Sequence, residues 1–143
     1  MMKLLIVEDQ RFPLKALDNA VRRVVPRYFP GFGYDTARSY NEASSMIPAG
    51  YEIILLDHRL PRENTGDLED MNFEAFTEGL EEIGYSLIPG IKGLNPATVV
   101  IGTSSLSKRE LGEAPSPDYT MGKSWTEAEI DLDRILAELE SDS

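Results

Sequence analysis

The stretch Tyr51-Glu52-Ile53-Ile54-Leu55-Leu56-Asp57 decides the fold. Four apolar residues stand in a row with no polar alternation, and the run stops at an aspartate followed by His58 and Arg59. It is too short for a helix. A strand covered on both faces by helices reads this way. Two further runs have the same character, Leu4-Leu5-Ile6-Val7 and Thr98-Val99-Val100-Ile101. Weaker strand candidates lie at 34–37 and 119–122.

Helical rhythm fills the gaps. Leu14, Leu17, Val21 and Val24 recur every three or four residues, with Pro13 tolerable in the first turn and Pro26 near the end. Residues 42–47 suit a short second helix. Phe73, Phe76, Leu80, Ile83 and Leu87 mark a third, weakened by Gly79 and Gly84. Thr126-Glu127-Ala128-Glu129 reads as a capping box, and Leu132, Ile135, Leu136 and Leu139 supply the apolar face of a last helix. A fourth helix belongs within 106–118, but Gly112, Pro115 and Pro117 leave room for only a turn or two. Strand and helix alternate about five times, which predicts a parallel sheet with helices on both sides. The loop from 58 to 72 is long for such a fold.

Composition bounds the rest. With 143 residues and 41% apolar content the chain is expected to fold as one globular domain, 1–143, without an effector domain. The absence of cysteine excludes disulfides, thiolate metal sites and cysteine nucleophiles. A formal charge of −11 disfavours nucleic acid and anionic membranes as partners. Arg22, Arg23 and Arg27 form the densest basic group, and it reads as the solvated face of a helix. The N-terminus lacks the long apolar region of a secretory signal, and no window approaches a membrane span. The expectation is a soluble, cytoplasmic protein.

In an open α/β sheet, ligands bind beyond the carboxyl ends of the strands. The residues in that place are Glu8 and Asp9, then Asp57, then Thr103 and Ser104, then Lys123. Three carboxylates, a hydroxyl and an ammonium are thus expected in one pocket. Close carboxylates repel one another, and a divalent cation relieves the repulsion. Mg²⁺ prefers oxygen ligands and commonly uses one or two carboxylates with a phosphate oxygen. Ionised Asp57 could then attack phosphorus, as aspartates do in covalent phosphoryl transfer.

The matching stretches are Leu4-Leu5-Ile6-Val7-Glu8-Asp9, Tyr51 to Asp57 with Pro61 four residues on, Val100-Ile101-Gly102-Thr103-Ser104, and Lys123. Together, over essentially the whole chain, they resemble the receiver domain of two-component response regulators. The resemblance implies a doubly wound, flavodoxin-like sheet of order 2-1-3-4-5 flanked by five helices. It implies Asp57 as phosphoacceptor, with Asp9, Asp57 and the backbone carbonyl of Arg59 as Mg²⁺ ligands and Glu8 acting through water. Thr103 and Lys123 would bind the phosphoryl oxygens. The phosphoryl donor would be a histidine kinase or a histidine phosphotransfer protein, and the output a contact with a downstream protein. Such a chain is a signalling protein rather than an enzyme, with only self-catalysed phosphorylation and dephosphorylation.

The chain departs from the family's pattern in four places. Ser124 stands where the family has proline after the lysine. The nearest candidate for the switch aromatic is Tyr119, one residue early. The interval from Asp57 to Thr103 is long, and the fourth helix is poor. The Ser124 departure and the poor fourth helix favour an alternative, a receiver-like scaffold that binds partners without phosphorylation and keeps a vestigial acidic site. Of the remaining residues, His58 is expected to face solvent after the strand. Trp125 is expected either to pack the last helix or to serve a partner. Glu63, Asp67, Glu69 and Asp70 are expected in a solvated loop.

Overall fold

The computed structural model describes residues 2–141. Met1 and the last two residues of the tail lie outside the described residues. The element order is β1 (Lys3–Val7), α1 (Arg11–Val24), β2 (Gly33–Ala37), α2 (Tyr40–Met46), β3 (Ile53–Leu56), β4 (Arg59–Leu60), α3 (Leu68–Met71), α4 (Phe73–Glu78), β5 (Glu81–Glu82), α5 (Ile88–Leu94), β6 (Val99–Gly102), α6 (Lys108–Leu111), β7 (Tyr119–Thr120) and α7 (Trp125–Ser141). Short 3₁₀ turns join several of them.

The main sheet is parallel throughout, in the order β2-β1-β3-β6-β7. Counting only its own strands, that order is the expected 2-1-3-4-5. Its central strands are buried on both faces because their apolar runs are divided between two cores. Leu4, Ile6, Ile53, Leu55 and Ile101 point to one side, where Leu17, Val21 and Val24 of α1 meet Leu132, Ile135 and Leu136 of α7. Leu5, Val7, Ile54, Leu56 and Val100 point to the other and pack with Ala43 of α2 and Ile88 and Ile91 of α5. A period of two within a continuous apolar run thus feeds both layers. Among the described residues no helix is long and apolar enough to cross a membrane.

Three local expectations are revised. The third helical pattern does not form one helix. It is cut into α4, β5, a 3₁₀ turn over Gly84–Leu87 and α5. β5 turns back to pair antiparallel with β4, Arg59 with Glu82 and Leu60 with Glu81. The segment 59–83 is therefore a small folded unit built after β3, not a loose loop followed by a helix. The last helix starts earlier than Thr126. Ser124 Oγ accepts the N–H of Glu127 at 3.3 Å and donates to Glu127 Oε1 at 2.8 Å, so the cap is Ser124-Trp125-Thr126-Glu127. Finally, Trp125 is 58% exposed and does not pack beneath the helix it opens. The fourth helix is a single turn, α6.

Candidate functional site

Glu8, Asp9, Asp57, Thr103 and Lys123 stand just past the ends of strands, and backbone bonds hold most of them there. The Glu8 N–H donates to the Ala37 carbonyl at 3.1 Å, the Asp57 N–H to Val7 at 3.1 Å and the Thr103 N–H to Leu56 at 2.9 Å. Each strand ladder runs one residue beyond the strand, so backbone bonds fix the chain at the rim of the sheet. Met121 continues β7 in the same way, its N–H donating to Gly102 at 2.9 Å, two residues before Lys123.

Lys123 joins the acids. Its Nζ donates to Glu8 Oε1 at 2.8 Å and to Asp57 Oδ2 at 2.9 Å. Ser124 does not displace it, because Ser124 caps α7 and Gly122 donates its N–H to Asp131 Oδ2 at 2.8 Å. The second oxygens are also positioned. Glu8 Oε2 accepts the N–H groups of Asp9 and Gln10, both at 3.0 Å, and Asp57 Oδ1 accepts the His58 N–H at 2.8 Å. Glu8, Asp9, Asp57 and Thr103 are all buried.

Two atoms in this set lack partners. Asp9 Oδ2 and the Thr103 hydroxyl are buried without a hydrogen bond. Native proteins rarely leave such groups unpaired, and a bound ion or ligand is one common reason for an exception. Glu8 and Asp9 are also hard to ionise. Burial, then the charge of Asp57, raises Glu8 from 4.5 to about 7 despite Lys123. Burial raises Asp9 from 3.8 to about 6; Arg38 opposes this, while Glu69, Glu42 and Asp57 add to it. For Lys123, burial disfavours the charge, but Glu8 and Asp57 outweigh it and the net shift is upward. Among the described residues no three of His, Cys, Asp and Glu form a ready-made metal cage. Lys123 bridges two of the three carboxylates here, which leaves Asp9 as the open donor. Arg59 opens β4 two residues beyond Asp57, with its side chain exposed.

Tyr119 is not brought to this rim. Strand alternation sends it to the α1/α7 side, where it packs on the first core. Its neighbour Thr120, paired with Gly102, instead lines a groove with Ser104, Tyr85, Leu106 and Met121. His58 is buried rather than solvent-facing, and its Nδ1 accepts the Tyr85 N–H at 3.0 Å. Burial lowers its pKa. The acidic loop is only partly solvated. Glu63 and Asp67 are exposed, but Glu69 accepts the Arg11 N–H at 2.8 Å and Asp70 pairs with the Arg11 guanidinium at 2.7 Å. These contacts seat 59–83 beside the start of α1, next to Asp9.

Sequence reasoning missed three residues. Arg38 donates through Nη2 to the Asp9 carbonyl at 2.8 Å. It follows β2 directly, so the strand-end rule that found the acids also points to it. Gly84 lies against the backbone of Asp57, where a Cβ would overlap the Asp57 carbonyl. Tyr85, 1% exposed, accepts the Ser104 N–H at 3.4 Å. Nothing in the local pattern distinguished these two from helix residues.

No family model matches the chain, and no curated protein matches it. Solved structures do match. The BeF3-activated receiver domain of DrrB is 22% identical, over 98% of this chain and 99% of that one, with a TM-score of 0.63. A response regulator receiver protein from Sinorhizobium medicae is 15% identical, over 96% and 93%, with a TM-score of 0.64. The non-phosphorylated receiver domain of the stress response regulator RcsB from Escherichia coli is 16% identical, over 99% and 95%, also at 0.64. At such identities the likeness is one of fold.

Proposed function

The chain has the receiver fold of response regulators, and from that premise we propose that it is a phosphorylation-gated switch with Asp57 as the phosphoacceptor. One observation carries the reading. Lys123 spans Glu8 and Asp57 while Asp9 Oδ2 and the Thr103 hydroxyl lie buried beside them without partners. A site with an open carboxylate oxygen and an open hydroxyl is short of one cation and one acceptor. Mg²⁺ and a phosphoryl group together have that composition.

The donor set fits Mg²⁺, since it is all oxygen and includes two acids that burial makes costly to ionise alone. Asp9 and Asp57 would hold the ion, with the Arg59 carbonyl and, through water, Glu8. Bound there, it would neutralise charge on the acids and on the incoming phosphate. The chain's own residues do the rest. The His58 N–H fixes the Asp57 carboxylate in orientation. An Asp57 oxygen forms a bond to phosphorus as the bond from phosphorus to the donor's leaving atom breaks, and that atom keeps the electron pair. Lys123 is placed to follow the transferred negative charge, and the Thr103 hydroxyl donates to a phosphoryl oxygen. Arg38 steadies the backbone of Asp9.

The donor is a histidine kinase or phosphotransfer protein, and the output is a contact with another protein whose affinity shifts with the state of Asp57. The scaffold alternative rests on the Ser124 turn and the short fourth helix; Lys123 holds its two acids despite that turn, while α6 is a single turn. The test is an intact mass after incubation with Mg²⁺ and a small phosphodonor such as acetyl phosphate. One phosphate-sized increase is expected, absent in Asp57→Asn and with chelator. No increase, or an equal one in Asp57→Asn, refutes the assignment.

A further inference from the structure

We propose that Tyr85 is the positioning residue through which the state of Asp57 reaches the segment 59–83. This deepens the reading of Asp57 as phosphoacceptor and rests on it. Tyr85 touches both ends of such a connection. Its backbone N–H binds His58 Nδ1 at 3.0 Å, one residue from Asp57, and the two rings lie 4.7 Å apart. Its hydroxyl accepts the Ser104 N–H at 3.4 Å, next to the unpartnered hydroxyl of Thr103. A Cβ on Gly102 would overlap that same hydroxyl, so the tip of the ring lies directly against the end of β6.

The other side of Tyr85 is tied to the added unit. Gly84, immediately before it, lies on the Asp57 carbonyl. The N–H groups of Ile83 and Gly84 both bind the His58 carbonyl, at 3.0 and 2.8 Å. β5 then pairs with β4. Contact is therefore continuous from the loop after β6, through a buried ring, to the β4–β5 hairpin. Tyr119, by contrast, packs on the opposite core.

A phosphoryl group on Asp57 offers the Thr103 hydroxyl an acceptor. As Thr103 moves toward it, the Ser104 N–H is drawn from Tyr85. At 3.4 Å that bond is at the long end of the useful range, so its loss is cheap. The freed hydroxyl turns toward the groove lined by Ser104, Leu106 and Thr120, and the β4–β5 unit relaxes with the ring.

The test uses the full chain, beryllofluoride with Mg²⁺ as a phosphoryl stand-in, and residue-resolved amide exchange. In the wild type the probe is expected to change exchange at Ser104 and across 81–84. Tyr85→Phe removes only the hydroxyl. Without probe, its Ser104 amide should exchange roughly two- to five-fold faster. With probe bound, its response at 81–84 should be largely lost, while Tyr119→Phe behaves as wild type. An undiminished response at 81–84 in Tyr85→Phe overturns the inference but leaves the phosphoacceptor standing. So does failure of Tyr85→Phe to bind the probe, which would place Tyr85 in the acceptor site itself. A wild type that neither binds the probe nor gains phosphate overturns both readings.

Discussion

At the residue scale the site is an imbalance of charge. One ammonium, Lys123, serves Glu8 and Asp57, while Asp9 keeps an oxygen without a partner. The consequence is a pH dependence with a definite sign. Glu8 titrates at about 7 in the folded protein against an ordinary 4.5, and Asp9 at about 6 against 3.8. Between those values the folded chain keeps protons that the unfolded chain has released. Without divalent cation, these two groups therefore favour folding most below their ordinary values of 3.8 and 4.5, and the benefit is lost progressively from there as pH rises through about 6 and about 7. A decline on the order of 1–3 kcal/mol is expected over that window in denaturant titrations. Glu8→Gln should remove its upper part, toward about pH 7, and leave the part due to Asp9. Stability that climbs instead would mean that Lys123 outweighs burial at Glu8. The same residues show what a sequence can disclose. Glu8, Asp9, Asp57 and Thr103 were legible because an apolar run ending in a polar residue marks both a strand and its rim. Tyr119 was not, because a single-residue step along a strand reverses its face, and the sequence shows the strand but not its register.

At the scale of elements, the segment after β3 separates pattern from structure. Phe73, Phe76, Leu80, Ile83 and Leu87 keep a helical period, yet the chain reverses between Phe76 and Leu87, and the five fall in α4, on either side of β5 and at the end of the 3₁₀ turn. The decisive residue is Gly84. It is read from sequence as a weak helix position, and it is needed because the backbone of Asp57 occupies the space of its Cβ. That requirement is set by a partner 27 positions away in sequence, so no local window contains it. Gly84→Ala forces apart the 3₁₀ turn and the end of β3. A loss of roughly 3 kcal/mol is expected, the upper part of the overpacking range. For a chain of this size that lowers the melting temperature by about 10 °C. Phosphate uptake should slow as well, because the residue displaced is the proposed acceptor, Asp57. An unchanged melting curve would contradict the close approach. The start of α7 is a milder case. Ser124-x-x-Glu127 and Thr126-x-x-Glu129 have the same form, and the hydrogen bonds between Ser124 and Glu127 select the first.

At the scale of the molecule, two cores hold a sheet whose carboxyl edge concentrates acid in a chain already at −11. Net charge of that size opposes compactness, and any cation in solution screens it. A specific site must therefore be separated from general screening. Mg²⁺ that binds only the folded state stabilises it by RT ln(1 + [L]/Kd), about 1.4 kcal/mol at ten times Kd. That corresponds to a rise in melting temperature of roughly 3–5 °C. NaCl at matched ionic strength should give the screening part alone. Asp9→Asn removes the open carboxylate while keeping its size, so in that variant Mg²⁺ and NaCl should have the same effect. The Mg²⁺-specific rise should also grow from pH 6 to about pH 7.5, because binding requires acids that titrate at about 6 and about 7 in the metal-free fold. If NaCl reproduces the whole rise in the wild type, the acids are a charged rim and not a site. If Asp9→Asn keeps the Mg²⁺-specific rise, the ion is held elsewhere, and the pairing of Asp9 with Asp57 is wrong even where Asp57 takes up phosphate.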